Sequence, residues 1–340
     1  MKRTLWIHPG IQRTGTTSVQ DFLHGNFQAL QKRGILYPYN TRRHFSLMNR
    51  ILGGETSVDT VAADLIARAD AKPAPVHAIV LSDEAISLRR DLSVLAGFRK
   101  HFDVRIILFL RRQDLWLESW YFQNVKWQWN PDLSHCTLEA FLAQRKTFHW
   151  LDYDRYVGHL EKLFGAENVE LVVFESAEMD GGPVHEFCRR VGIGEVSGLD
   201  QPGHSNASLS PAMSEFIRHL PVGEGLGDST RQALVQACEA ADAALPARLA
   251  GGGKLILPHD TRRAVTRAYE KGNTRLARRR FGRDQLFRAP LPAETEPVAD
   301  LALPRDSAEL MQHFVVPVLR GLIHQGAVQN PQKTGRRKNG

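Results

Sequence analysis

Cysteine is scarce: there are three in 340 residues, Cys136, Cys188 and Cys238, far apart and with no C-x-x-C among them. That argues against a disulfide framework and a structural zinc site, and suits a reducing cytoplasm. Long apolar runs are also missing. None approaches the roughly 20 residues that span a bilayer, so no transmembrane segment is expected. The chain reaches a polar loop by Pro9, too early for the apolar region of a secretory leader. No internal repeat is apparent. The net charge is +7, which suits anionic ligands, but no aromatic-interleaved basic motif accompanies it, so nucleic acid is not an expected partner. The excess is partly local. Arg275, Arg278, Arg279, Arg280 and Arg283 crowd one segment, and Arg336-Arg337-Lys338 belong to a basic tail, 326–340, expected to be disordered.

Hydrophobic residues make up 42% of the chain, enough for a sizeable core. Four short apolar runs, Thr4 to His8, His77 to Ser82, Val104 to Leu110 and Val169 to Phe174, read as buried parallel strands. Helical patterns separate them: one from the first loop to about Arg33 with Gly34 as its C-cap, then Val58 to Ala69, a long one from near Leu115, Tyr153 to Phe164, and Val184 to Val191. Such alternation predicts an α/β fold with a central parallel sheet. The second half is less regular. An alanine-rich helix, Thr230 to Leu245, sits in a glycine-bracketed stretch, 223–253, that reads as a variable insertion. Thr261 to Phe281 reads as a helix interrupted near Gly272, and Asp306 to His324 as an amphipathic packing helix. A single domain over 1–325 is expected, with a core of about 1–200 and a helical part over 201–325.

The most informative stretch runs from Leu5 to Ser18. Gly10 and Gly15 stand at the G-x-x-x-x-G spacing of a phosphate-binding loop, after an apolar strand and before an apolar helix. Small residues let the backbone curl its N–H groups inward, and the helix adds its N-terminal donors and dipole. A Walker A loop would continue with Lys and then Ser or Thr; here the pair is Thr16-Thr17. The loop's positive charge is Arg13. This combination fits a phosphate-containing ligand other than a magnesium-bound nucleoside triphosphate. An ordinary turn with Thr and Ser capping the helix explains the same residues less fully.

Two more polar clusters follow strand ends, where ligands of such sheets bind. Ser82-Asp83-Glu84 ends the second predicted strand. Arg111-Arg112 ends the third, with Ser119 in the helix beyond. An arginine fork and a serine hydroxyl at that spacing can reach one anion. Surface ion pairs are the plainer reading of the arginines.

A glycine loop after the first strand together with Arg111-x7-Ser119 after a later one resembles the PAPS-dependent sulfotransferase superfamily. The family loop usually reads Lys-[Ser/Thr]-Gly-Thr-Thr; this chain has Arg13-Thr14-Gly15-Thr16-Thr17. Val172-Val173-Phe174-Glu175, Phe187 to Ile193, Asn206-Ala207-Ser208-Leu209, and Asn273 to Phe281 with Leu286-Phe287 are similar to elements of bacterial members. The resemblance implies a P-loop-type three-layer fold with C-terminal helical segments, and a transferase that uses PAPS and releases PAP without a metal. It implies that Gly10, Gln12, Arg13, Thr14, Gly15, Thr16, Thr17 and Ser18 hold the 5′-phosphosulfate, and that Arg111 and Ser119 hold the 3′-phosphate. Arg13 would stabilise the leaving phosphate. Glu84 stands like the catalytic glutamate of heparan sulfate N- and 3-O-sulfotransferases and is the expected general base, with capping of the next helix beside Asp83 as the lesser alternative. His44, flanked by Arg42, Arg43 and Arg50, is a rival base, although a surface histidine in a mobile loop is the plainer reading. Trp127, Trp129, Phe148 and Trp150 suit a glycan or glycolipid acceptor, or simply a core. The acceptor's identity and the oligomeric state are not encoded in any motif. A P-loop kinase with a degenerate Walker loop is the main alternative, since Ile79 to Glu84 mimics a Walker B strand. A non-catalytic anion- or glycan-binding relative is another.

Overall fold

The computed structural model describes residues 2–201, 203, 208–223, 225–253 and 255–326. The chain forms two compact units, each assembled from separate stretches of sequence. The first comprises Met1–Trp116, Lys146–Ser205 and Ala264–Pro290; the second comprises Leu117–Arg145, Asn206–Arg263 and Leu291–Gly340.

The first unit holds a five-stranded parallel sheet flanked by helices. In chain order its elements are β1 (Thr4–His8), α1 (Thr16–Gly25), α2 (Phe27–Lys32), β2 (Ile35–Leu36), α3 (Phe45–Leu52), α4 (Val58–Asp70), β3 (Ala78–Ser82) and β4 (Asp103–Leu110). After these come the start of α5 (Gln113–Trp127), which continues into the second unit, and then α8 (Tyr153–Phe164), β5 (Val169–Val173) and α9 (Gly182–Val191). The strand order is β2-β3-β1-β4-β5. Alternation along the strands supplies both faces. Trp6, Val80, Ile107, Phe109 and Val172 pack with Val19, Phe22 and Leu23 of α1 and with Val184, Phe187 and Val191 of α9. The intervening residues, such as Ile106 and Leu108, are equally buried, and α8 packs on β4 and β5 with Val157, Leu160 and Phe164 inward. The four predicted strands are all present; β2 is too short for any periodicity to register.

The first helix is split where one was expected. Asn26 interrupts it because its amide donates to the carbonyls of Phe22 (2.9 Å) and Asp200 (2.8 Å), while its oxygen accepts the Asp200 N–H (2.8 Å). The Phe22 carbonyl accepts the Asn26 backbone N–H as well, at 3.0 Å, so the side chain ties the end of α1 to a distant loop. Gly34 follows α2 with φ of 76°, as a C-capping glycine should. By contrast, α12 (His259–Phe281) runs unbroken through Gly272, where an interruption was expected. A helical glycine costs about 1 kcal/mol, and here ion pairs offset it: Arg275 and Arg279 bind Asp154, and Arg280 binds Glu161.

The second unit is helical. It contains α6 (Pro131–Ser134), α7 (Leu138–Ala143), α10 (Pro211–Arg218), α11 (Asp228–Ala243), the first turn of α12, α13 (Ser307–Leu310) and α14 (Val316–His324), the last two joined by a π-helical turn over Met311–Val315. The alanine-rich α11 buries Val235, Cys238 and Ala241 and packs along α14, where a Cβ on Gly321 would stand 3.0 Å from that of Ala237. Small residues at that crossing let the two backbones approach. Glu118 is this unit's polar keystone. Its Oε1 accepts the N–H groups of Ile256 and Leu257, both at 2.8 Å, and the guanidinium of the buried Arg262 at 2.5 Å. Most of the basic tail, from residue 327, lies outside the described residues.

Candidate functional site

The sheet topology places the site. From β1 the chain turns to one side to build β2 and β3, then returns to the other for β4 and β5. The carboxyl end of β1 is therefore the switch point, where an open α/β sheet leaves a crevice. His8 is in register with Ser82, and the Asp83 N–H donates to the His8 carbonyl at 3.1 Å. The loop after β1 and the residues after β3 are thereby held side by side.

Three loop residues have positive φ: Gly10 (36°), Arg13 (68°) and Gly15 (78°). A Cβ on Gly10 would meet Thr16 Cγ2 at 2.7 Å, and one on Gly15 would meet Pro183 at 2.8 Å, so both positions require glycine on two counts. Arg13 adopts the left-handed conformation without that licence, a strain found mostly where function holds it in place. Donors from the β4–α5 corner fix the loop's peptide planes. The Trp116 indole N–H donates to the Gln12 carbonyl at 2.6 Å, and Arg111 Nη1 donates to the Arg13 carbonyl at 2.7 Å. In a trans peptide the next N–H points opposite to the carbonyl, so those of Arg13 and Thr14 turn away from these donors. The Thr14 hydroxyl is spent on the Ile11 carbonyl at 2.5 Å. Helix α1 then opens with Gly15 as N-cap, with no side-chain cap and no acidic residue in its first turn. Thr17 and Ser18 are half-buried in that turn.

Glu84 faces this loop. Its Oε1 accepts the Thr16 hydroxyl at 2.6 Å, its Oε2 pairs with Arg43 Nη1 at 3.2 Å, and Gln12 Nε2 lies 3.5 Å from its carbonyl. Burial lowers the Arg13 pKa, and the nearby Glu84 charge opposes that shift; a guanidinium remains charged throughout. The adjacent Asp83 does the capping, with Oδ1 accepting the Ala85 N–H at 2.7 Å. Its Oδ2 is buried without a hydrogen-bond partner, and burial pushes the carboxyl up to about 6.

His44 is placed differently from a base. Its Nδ1 accepts the Ser82 N–H and its Nε2–H donates to the Pro38 carbonyl, both at 3.1 Å, so both ring nitrogens are engaged. It is buried, and desolvation lowers its pKa to about 4. It pins the segment carrying Arg42 and Arg43 to the end of β3. A second buried histidine escaped the sequence reading. His8 Nδ1 bonds Ser82 Oγ at 2.9 Å, and Gln20 Nε2 donates to the same hydroxyl at 3.2 Å, which forms a polar layer beneath the loop. Burial lowers His8 to about 3. Polar residues in an apolar strand and helix face were the available signal.

The other predicted residues separate. Arg112 is buried, forked onto Asp114 at 2.7 and 3.2 Å, and bound to the carbonyls of Ala289 and Pro290. Glu175 holds the same segment through the N–H groups of Arg288 and Ala289. Ser119 lies half-buried on the part of α5 that belongs to the second unit. Phe148 and Trp150 are core residues of the first unit and pack edge-on against Trp116. Trp127 and Trp129 stack at 5.5 Å in the second unit, with Trp129 57% exposed. Arg278 pairs with Asp284, while Arg279 and Arg280 pair with the acids of α8. Asn206 and Ala207 lie outside the described residues. Among the described residues, no group of three or more His, Cys, Asp or Glu side chains could hold a metal, and no helix is long and apolar enough to cross a membrane.

The chain matches no protein-family model. It is 25% identical over 146 residues to an uncharacterized protein of Archaeoglobus fulgidus, a match covering 42% of this chain and 38% of that protein. Among solved structures it is similar to a sulfotransferase from Alicyclobacillus acidocaldarius, over 61% of this chain and 86% of the other, at 18% identity and a TM-score of 0.40. Both likenesses are too distant to bear on chemistry.

Proposed function

We propose that this protein is a sulfotransferase that moves the sulfuryl group of PAPS to a hydroxyl or amine of an acceptor, in the class of small molecules, glycans and glycolipids. One observation carries the reading. At the switch point of the sheet, an anion-binding loop without a Walker lysine has one arginine in its turn, a second arginine bonded to its backbone, and a carboxylate beside it. Two arginines and a helix N-terminus suit a ligand with separated anionic groups. Gly10 and Gly15 give the backbone room to close on it. The N–H groups of Thr14 and Thr16 and the hydroxyls of Thr17 and Ser18 are its expected donors. Arg111 is the expected partner of the 3′-phosphate; a share for Ser119 rests on its spacing from Arg111.

Bound there, the donor supplies a sulfuryl group that passes in line to the acceptor oxygen or nitrogen while the electron pair of the broken bond stays on the phosphate. Arg13 offsets the charge that develops on that phosphate. Arginine keeps its proton too tightly to act as the acid, so its part is electrostatic. Glu84 Oε2 takes the acceptor's proton, with Oε1 held in place by the Thr16 hydroxyl. We assign His44 to holding the segment beside Glu84, not to proton transfer.

Thermal shift with PAP and with ATP·Mg²⁺ tests the donor. PAP should stabilise the protein. Stabilisation by ATP·Mg²⁺ alone would favour a kinase and sink the reading. Labelled PAPS offered to glycan, lipid and small-molecule pools should yield a labelled product, and Glu84→Gln should lower turnover about 10²–10⁴-fold while PAP still binds. PAP binding with no transfer to any pool would point instead to a non-catalytic relative.

A further inference from the structure

Resting on that reading, the arrangement around Glu84 also bears on the acceptor. Both carboxylate oxygens of Glu84 are engaged, one by Thr16 and the other by Arg43. The Thr16 bond is internal, since that side chain is buried in the first turn of α1. The Arg43 bond is not. Glu84 is 13% exposed, whereas the Arg43 side chain is 39% exposed, at the solvent edge of the pair. Its guanidinium lies 4.8 Å from the centroid of Phe45, itself 42% exposed. Arg42 beside it is exposed, with a long 3.5 Å contact to Asp21. The backbone under these residues is firm, because His44 is bonded to Ser82 at the end of β3 through its N–H and its Nδ1, and to the Pro38 carbonyl through its Nε2 side.

We propose that Arg43 is the specificity residue for an acceptor that carries its own oxyanion, a carboxylate, sulfate ester or phosphate, next to the group that is sulfated. In the structure Arg43 masks the oxygen that must accept a proton. An acceptor with an anionic group gives Arg43 a replacement partner and exposes Glu84 Oε2 to the incoming hydroxyl. A neutral acceptor must break the ion pair without compensation. Phe45 supplies an apolar surface for the ring or chain that bears the anion. Arg43 acts by binding and by releasing Glu84; it does not touch the transferred group.

The test uses benzoate, phenyl sulfate and phenyl phosphate against benzamide, each added to the protein saturated with PAP so that the donor's phosphate sites are filled. At least one oxyanion should raise the melting temperature of the wild-type complex where benzamide does not, and the three distinguish the preferred anion. Arg43→Gln should weaken that binding at least tenfold, and Arg43→Lys should retain most of it. Equal responses to the oxyanions and benzamide, including no response to either, would overturn the proposal, as would an oxyanion effect that survives Arg43→Gln. The PAP response of each variant, measured first, reports a folded donor site. If PAP fails to stabilise the wild type, the sulfotransferase reading fails and this inference falls with it.

Discussion

Arg13 is the one loop residue that carries both charge and strain, and two substitutions separate them. Its φ of 68° is in the left-handed region, which costs an L-residue about 1–2 kcal/mol. Arg13→Ala removes the guanidinium and keeps that cost. Arg13→Gly removes both, but glycine gains about 0.5–1 kcal/mol of unfolded-state entropy relative to alanine. At the midpoints of the two ranges Arg13→Gly is more stable than Arg13→Ala by about 0.8 kcal/mol, or about 1 °C in Tm for a chain of this size. Urea denaturation of the two variants side by side resolves it. Transfer from labelled PAPS should fall about 10²–10³-fold in both, the usual loss for one charge-stabilising donor, with PAP binding still measurable. Arg13→Lys, which restores a charge in the same conformation, should recover most of the turnover. A glycine variant no more stable than the alanine variant would refute the strain argument. Turnover that survives in Arg13→Ala would refute the role of the charge.

Two further outcomes follow from buried charges elsewhere. Burial raises the Asp83 pKa from 3.8 to about 6, so the folded state prefers the protonated form. The cost is full above about pH 6 and disappears as the pH falls through 3.8. At about 1.4 kcal/mol per pKa unit it reaches about 3 kcal/mol at pH 8. Asp83→Asn should therefore stabilise the protein by about 1–3 kcal/mol at pH 8 and by little at pH 4, as read by urea midpoints; an equal effect at both pH values contradicts this. In the second unit, Glu118→Ala strips Arg262 of that carboxylate and leaves the Ile256 and Leu257 N–H groups without their acceptor. Breaking a buried pair in this way costs about 3–5 kcal/mol, and a loss below about 1 kcal/mol would show that the site relaxes.

The loop was legible because its information is local: two glycines at a fixed spacing, a strand before them and a helix after. The same holds for β3, β4, β5 and α8, whose apolar patterns are continuous in the chain. The hold on the loop was not legible. Trp116 reaches Gln12 from 104 residues away, and Arg111 reaches Arg13 from 98. Nothing in the spacing of Trp116 marks it as a hydrogen-bond donor instead of one more apolar residue of its helix. His44 was misleading for a related reason. An exposed histidine titrates near neutrality, but this one is desolvated and has both nitrogens bonded, and burial is not written in its neighbours. Asn26 and Gly272 show the converse. Each has a local tendency to break or allow a helix, and partners from elsewhere in the first unit decide the outcome.

By itself the sequence determined four of the five strands of the sheet and the longer helices, the glycines of the loop after β1, and the absence of a Walker lysine, because each depends on a residue and its near neighbours. Only the tertiary structure decided which polar residues meet. Strand register put Glu84 against Thr16. The Glu84 carboxylate met Arg43 and left His44 as a support. The overhanging end of β4 brought Arg111 onto the loop. Those choices depend on which buried groups find hydrogen-bond partners across the sheet, and pairing of that kind is a property of the packed chain.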